Sequence, residues 1–379
     1  MADLSSKLPL IDLAAQRKRL AGRIEAAMAR VVAHGQFILG PEVGALEQAI
    51  AGRVGVRHAI ACASGTDALV LALLARGIGA GDAVFVPAFT FVASAEAVAL
   101  AGAVPVLVDV GADFTLDPAS LCEAIAAIGR EGSLRPRAVL PVDLFGQPAR
   151  YESIRPVARA RGLFVLQDAA QSFGACWQGE PVGRQGDAAA LSFYPSKPLG
   201  AYGDGGALLT DCDALAQRVR SLARHGLEPG GLHGRIGANS RLDTIQAAVL
   251  LAKLPALDQE RAARAAIAGR YADGLAGLVD VPRVREGIEH AWSCYTVSSG
   301  RRDALAQGLA ARGIASAIYY RRPLHLEPAY AGFPRAPRLA VAEALAGRVV
   351  SLPVHAYLEP RDQARIIDTI SSLVGEKGS

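Results

Sequence analysis

The sequence predicts an α/β fold in two parts: a three-layer α/β/α large domain around a mainly parallel sheet, and a smaller α+β domain at the C-terminal end. Three observations carry this. Short apolar, β-branched runs alternate with helix-length amphipathic segments over most of the first 240 residues, the pattern of strand–helix–strand crossover units. Beyond that point two long Ala/Leu-rich segments lead into mixed short elements. At 379 residues the chain also exceeds the usual size of one core. The division expected is 1–240 for the N-terminal arm and large domain, and 241–379 for a linking helix and small domain.

Taken in order, strands are expected at 58–63, 83–87, 104–108, 138–143, 163–167, 189–194 and 205–210, each a short apolar run. Helical periodicity falls between them, for example at 66–76, 92–101, 150–161 and 214–223. Past residue 240 come helices at 241–254 and 258–275, short strands near 279–284, 292–299 and 314–320, and helices near 302–312, 338–347 and 359–374. The N-terminal stretch reads as an arm and a helix packed against this second part. There is no internal repeat.

Composition narrows the function classes. Apolar residues make up 51% and charged residues 20% of the chain, which is a well-packed globule. Forty Lys and Arg against 36 Asp and Glu give +4, too mild and too evenly spread for a nucleic-acid binder. No stretch approaches the about 20 apolar residues that span a bilayer, so no membrane partner is expected. The N-terminus lacks the order of a signal peptide. The five cysteines, an odd number without CxxC spacing, read as buried free thiols of a cytoplasmic protein. No GxGxxG turn follows an early strand, which sets aside a dinucleotide-binding dehydrogenase.

In an open parallel sheet the ligand crevice lies beyond the carboxyl ends of the strands, and four clusters fall there. Ala63-Ser64-Gly65-Thr66-Asp67 turns from a strand into a helix. Its free N–H groups and positive dipole end suit a phosphate, although Ser and Thr also make ordinary caps. Asp168 follows directly on a buried strand, where a carboxylate needs a cationic partner or caps the next helix. Lys197 sits in the Pro/Gly-rich turn Ser192-Phe193-Tyr194-Pro195-Ser196-Lys197-Pro198-Leu199-Gly200. A lysine fixed and partly buried there has the lowered pKa that an imine-forming amine requires. Gly237-Ala238-Asn239-Ser240-Arg241 precedes a long helix, where Asn is an unremarkable cap by itself.

Together the clusters meet the needs of pyridoxal 5'-phosphate (PLP): a phosphate cradle, an anion for the pyridine nitrogen, and a Schiff-base lysine. Asp168 would keep the ring protonated so that it accepts electrons when a Cα–H bond breaks. Lys197 would shuttle the proton. Phe89-Thr90-Phe91 offers an aromatic face for the ring.

The stretches SFYPSKPLGAYGDGGA, DAAQ, SGTDAL, PAFTF and GANSRLD, in that company, resemble the DegT/DnrJ/EryC1/StrS sugar aminotransferases of PLP fold type I. The resemblance runs from about Ile11 to the SLPVHAYL near the C-terminus. It implies Lys197 as the cofactor lysine, Asp168 on the pyridine nitrogen, Gln171 on the phenolic oxygen and Phe91 stacked on the ring. It implies Gly65, Thr66 and Ser192 on the phosphate. Asn239 would reach the phosphate from the other subunit of a homodimer with shared active sites. Arg241, Tyr319, Tyr320 and His325 would face the sugar.

Two departures stand out. Gln167 replaces a usual acidic residue, on a side chain that alternation turns away from Asp168. Tyr319-Tyr320-Arg321-Arg322 replaces a usual aromatic-Pro-x-Pro, which bears on substrate identity. Arg321 and Arg322 could meet a diphosphate or form a solvated pair.

The activity this implies is two-stage amino transfer from L-glutamate to a nucleotide-linked keto-sugar, with C3 of a UDP- or dTDP-3-keto-hexose or 3-keto-uronic acid as the leading acceptor. Three alternatives remain at this stage: a 4-keto-sugar aminotransferase, a sugar dehydratase (which would carry His in place of Lys197), and a non-catalytic sensor on the same fold.

Overall fold

The computed structural model describes residues 7–375. Seven strands build the main sheet: β1 (His58–Cys62), β2 (Asp82–Pro87), β3 (Val104–Val108), β4 (Arg135–Val139), β5 (Phe164–Asp168), β8 (Ala188–Ser192) and β9 (Gly206–Thr210). Between β5 and β8 lie the two-residue strands β6 (Cys176–Trp177) and β7 (Glu180–Pro181), which pair with β10 (Ile288–Glu289) in a small separate sheet. The main sheet runs β1-β9-β8-β5-β4-β2-β3. Its neighbours are parallel except around β9, which is antiparallel to both β1 and β8. The fold is the expected three-layer α/β/α arrangement around a mainly parallel sheet.

Period-two alternation decides which helix layer each side chain meets. Ala188 and Ala190 of β8, Leu208 of β9 and Ile60 of β1 join one core. That core also takes side chains from α3 (Gly65–Ala75), α4 (Ala93–Leu100), α5 (Pro118–Glu131), α6 (Tyr151–Arg159) and α7 (Asp213–Leu222). The alternate residues Ala189, Leu191, Leu209 and Ala59 join the opposite core, with Leu46 and Ile50 of α2 (Pro41–Val54) and Ala247 and Leu250 of α8 (Thr244–Lys253). Ahead of these, α1 (Leu13–His34) starts where the Asp12 carboxylate accepts the Ala15 N–H at 2.8 Å and stops at Gly35, in the left-handed region. Leu20, Ile24, Ala27 and Val31 on one face of α1 pack against Ala248, Val249 and Ala252 of α8.

A third core holds Ile267 and Tyr271 of α9 (Leu257–Leu275), Leu305 and Leu309 of α10 (Arg302–Ala311), and Ile366 and Ile370 of α12 (Pro360–Gly375). They cover a two-stranded ladder, β11 (Tyr295–Ser298) with β12 (Val349–Leu352). Leu8 joins this core as well, whereas Ala342 and Ala346 of α11 (Ala340–Ala346) pack on the large one. Two expected strands are not there: the 279–284 and 314–320 segments make only isolated bridges. The partner of β11 is instead β12, at a sequence distance no local pattern reveals. Among the described residues no helix is long and apolar enough to cross a membrane. All five cysteines are free; buried thiols were expected, but only Cys62 is buried, with Cys122, Cys176 and Cys294 half-buried and Cys212 exposed.

Candidate active site

The carboxyl ends of β1, β5 and β8 meet at one edge of the sheet. Because β9 is antiparallel, Gly206 at its start lies opposite both Cys62 and Ser192. The segment 193–205 therefore leaves and re-enters the ladder at the same edge, and Lys197 is carried on it. The Lys197 N–H donates to the Tyr194 carbonyl at 2.8 Å, and the Ala201 N–H to the Phe193 carbonyl at 2.7 Å. From α8, Lys253 Nζ donates to the Gly200 carbonyl at 2.7 Å and Gln246 Oε1 accepts the Tyr202 N–H at 2.9 Å. The turn is thus held by the sheet at its ends and by a helix along its length.

Above this edge opens a cavity of about 630 Å3. Gly65, Thr66, Phe91, Asp168, Gln171, Ser192, Lys197, Tyr319 and Tyr320 all line it. On its wall α3 begins. Ser64 Oγ accepts the Asp67 N–H at 3.0 Å and the Ser64 carbonyl accepts that of Ala68 at 3.0 Å, so the first-turn N–H groups of Gly65 and Thr66 are left for a ligand. Ser192 lies hard against this end: a Cβ on Gly65 would come within 2.7 Å of Ser192 Cβ, and one on Gly206 within 2.3 Å of the Ser64 carbonyl oxygen.

Asp168 is buried at the end of β5. It accepts hydrogen bonds from Ser94 Oγ at 2.9 Å and from the Ala170 N–H at 3.1 Å. Burial raises its pKa, against the pull of those two bonds and of Lys197. Burial also lowers the pKa of Lys197, opposed by Asp168 and Cys294. Gln171 Oε1 accepts the Phe145 N–H at 2.7 Å. Phe91 is 53% exposed and stands 6.2 Å, centroid to centroid, from the Tyr320 ring.

Three expected site residues lie elsewhere. Asn239 is exposed, its backbone bridged to Arg224. Arg241 does not reach the cavity of its own chain, and its buried Nε has no hydrogen-bond partner. His325 is 4% exposed and its Nε2 meets Glu343 Oε1 at 3.0 Å, away from the cavity.

Sequence reasoning did not find Ser94, which lies in the first turn of α4 three residues after Phe91 and donates to the Asp168 carboxylate. Nor did it find Cys294, a cavity-lining thiol pushed up to about 11 by burial. Behind Asp168 it missed Asp143, which accepts from Tyr151 Oη at 2.8 Å, Ser172 Oγ at 2.7 Å, Gln167 Nε2 at 2.7 Å and the Ala149 N–H at 2.8 Å. Gln167 does point away from Asp168, into this network.

The arrangement fits pyridoxal phosphate on its own terms. A buried carboxylate with spare lone pairs, its ionised form disfavoured by burial despite the pull of Lys197, would be matched by a protonated ring nitrogen. A deprotonation-prone lysine, an open helix N-terminus and an exposed aromatic face share its cavity. The fold and this site define a PLP-dependent aminotransferase of fold type I.

The DegT/DnrJ/EryC1/StrS aminotransferase family matches residues 18–371, and the chain belongs to it. A Pseudomonas aeruginosa relative, UDP-2-acetamido-2-deoxy-3-oxo-D-glucuronate aminotransferase, is 43% identical over 93% of this chain and 96% of its own. A Streptomyces venezuelae relative, dTDP-3-amino-3,4,6-trideoxy-alpha-D-glucose transaminase, is 42% identical over 96% of this chain and 95% of its own. The crystal structure of a DegT DnrJ EryC1 StrS aminotransferase from Brucella abortus superposes with TM-score 0.95 at 49% identity, covering 97% of this chain and all of that one.

Proposed function

We propose that this aminotransferase moves an amino group from L-glutamate to C3 of a UDP- or dTDP-linked 3-keto sugar. The observation that carries it is that Lys197, Asp168 and the open end of α3 share one cavity. The names of the two relatives, one a 3-oxo-glucuronate aminotransferase and one a 3-amino-sugar transaminase, support C3 over C4.

Bound pyridoxal phosphate would supply an electron sink for the pair left when the Cα–H bond of the amino acid breaks. The chain's residues do the rest. Lys197 would hold the cofactor and, once displaced, take the proton from Cα and redeliver it. Asp168, kept in place by Ser94 and Ala170, would hold a proton on the ring nitrogen. Gln171 would meet the phenolic oxygen, Phe91 would cover the ring face, and Gly65, Thr66 and Ser192 would bind the phosphate. Tyr319 and Tyr320 would wall the sugar.

Asn239 and Arg241, which do not reach their own cavity, support a homodimer in which each chain completes its neighbour's site. The division into residues 1–240 and 241–379 and a cytoplasmic location belong to the same proposal, the latter supported by the five free thiols.

The test is the absorbance spectrum of the purified protein before and after L-glutamate, then after UDP- or dTDP-3-keto sugars. A visible-edge band that glutamate moves to shorter wavelength and the keto-sugar restores is the expected result. It should be absent in Lys197→Ala. Failure of every 3-keto sugar to restore it refutes the acceptor, and no response to glutamate brings the sensor reading forward.

A further inference from the structure

A second, smaller cavity of about 40 Å3 adjoins the main one and shares Ile11, Ser196, Lys197, Ser293 and Val354 with it. What it adds is polarity: the buried Glu260, Arg264 and His355 and the half-buried Gln16 and Tyr357. Glu260 is fully engaged, accepting from Gln16 Nε2 at 3.0 Å and from Tyr357 Oη at 2.6 Å, with Arg264 Nη1 at 3.9 Å. Arg264 Nε donates to the Ala291 carbonyl at 2.9 Å. Three buried nitrogens are left over: Nη2 of Arg264 and both ring nitrogens of His355. Each of the two residues is 7% exposed.

Buried polar atoms of this kind require a partner. The space is too small for an amino acid or sugar, and Glu260 on its wall disfavours an anion. A cavity of this size, at about 10–15 Å3 for each water, takes about three or four water molecules, with the two to four polar partners that each needs.

We propose that this chamber is a hydrated proton port, in which water bound by His355 and Arg264 exchanges protons between Lys197 and solvent. The inference rests on Lys197 being the acid–base group of the reaction. A substrate seated in the main cavity closes Lys197 off from that side, and the chamber gives it a second access to water. The exchange is balanced: a proton on Nζ passes to a chamber water, a solvent proton returns by the same path, and no net charge moves. Burial holds His355 below the ordinary histidine range, opposed by Asp12 at the cap of α1 and Asp362 on α12. Burial thus favours the neutral ring, which has one nitrogen to donate and one to accept and orients water without placing a cation beside the amine. The other charged or titratable groups around the port are Glu260 and Arg264 of α9, Tyr357, and, facing Lys197, Asp168 and Cys294.

Two measurements test it. A high-resolution crystal structure of the cofactor-free protein should show ordered water bonded to His355 and Arg264 Nη2 and reaching Lys197 Nζ; a dry chamber overturns the proposal. The holoenzyme, incubated in D2O with L-glutamate and carbon-13-labelled 2-oxoglutarate, reports deuterium gained at Cα per carbon label exchanged. In His355→Phe, which fills the chamber with apolar atoms, that ratio should fall several-fold. His355→Gln, which keeps a donor and an acceptor, should hold the ratio near the wild-type value. Equal ratios in all three proteins refute the port while leaving the aminotransferase reading intact. Absence of carbon-label exchange in the wild type refutes that reading, and the port with it.

Discussion

Two buried carboxylates, Asp168 and Asp143, sit back to back and carry different duties. Asp168 lines the cavity, where in the proposed function the ring nitrogen of the cofactor would be its cationic partner. In Asp168→Asn the glutamate-driven spectral change should slow by about 10- to 100-fold, the equivalent of the roughly 1.5–3 kcal/mol of a charged hydrogen bond. A wild-type rate in rapid-mixing absorbance would deny Asp168 its role. Asp143 faces inward, and burial pushes it up to about 6 despite four hydrogen bonds. The fold disfavours its ionised form. The penalty is therefore full above pH 6 and fades as pH falls toward 3.8, the ordinary value for aspartate. Through that window this one group should add up to about 3 kcal/mol of stability on acidification. Denaturant unfolding at several pH values should show this slope, and Asp143→Asn should lose it; an unchanged slope would mean that Asp143 ionises in the fold without cost.

At the scale of elements, α3 is where sequence and site are most tightly joined. Ser64 caps it, and Gly65 lets Ser192 approach within contact. Gly65→Ala should weaken PLP retention, measured by dialysis and by the recovered visible band, because the new methyl group must push Ser192 off the phosphate end. Retention equal to wild type would mean that the cradle does not use this approach. The same local signals explain what could be read in advance. A strand that ends in Asp168 and a small-residue turn into a helix are written in consecutive residues. The start of β4 was not: the apolar run continues as Leu140-Pro141-Val142 beyond Val139, all of it buried, so hydrophobicity placed the strand about three residues late. Ser94, Cys294 and the β11–β12 pairing depend on contacts between distant segments, for which periodicity carries no signal.

Across the whole molecule, the least explained surface is the segment 227–239. Leu232 is 72% and Ile236 97% exposed, an apolar display that marks a contact surface, with Asn239 at its end and Arg241 just behind it. In the proposed homodimer this segment is covered. Ile236→Glu should shift the sedimentation coefficient toward that of a monomer and weaken cofactor retention together. A variant that remains a full dimer with normal retention would place the subunit contact elsewhere. That two chains share a site was implied by family resemblance alone, since nothing in one sequence says which surface meets its copy.

The antiparallel β9 has a further consequence, for engineering. An ordinary crossover leaves one edge of a sheet and must find its way back to the opposite one, so its contents depend on everything it crosses. The 193–205 excursion begins and ends on adjacent rungs of the same ladder. It is a cassette: a relative's version of this segment could be exchanged for it, its two ends already in register, and the reactive amine would arrive at the same place without the rest of the sheet being redesigned.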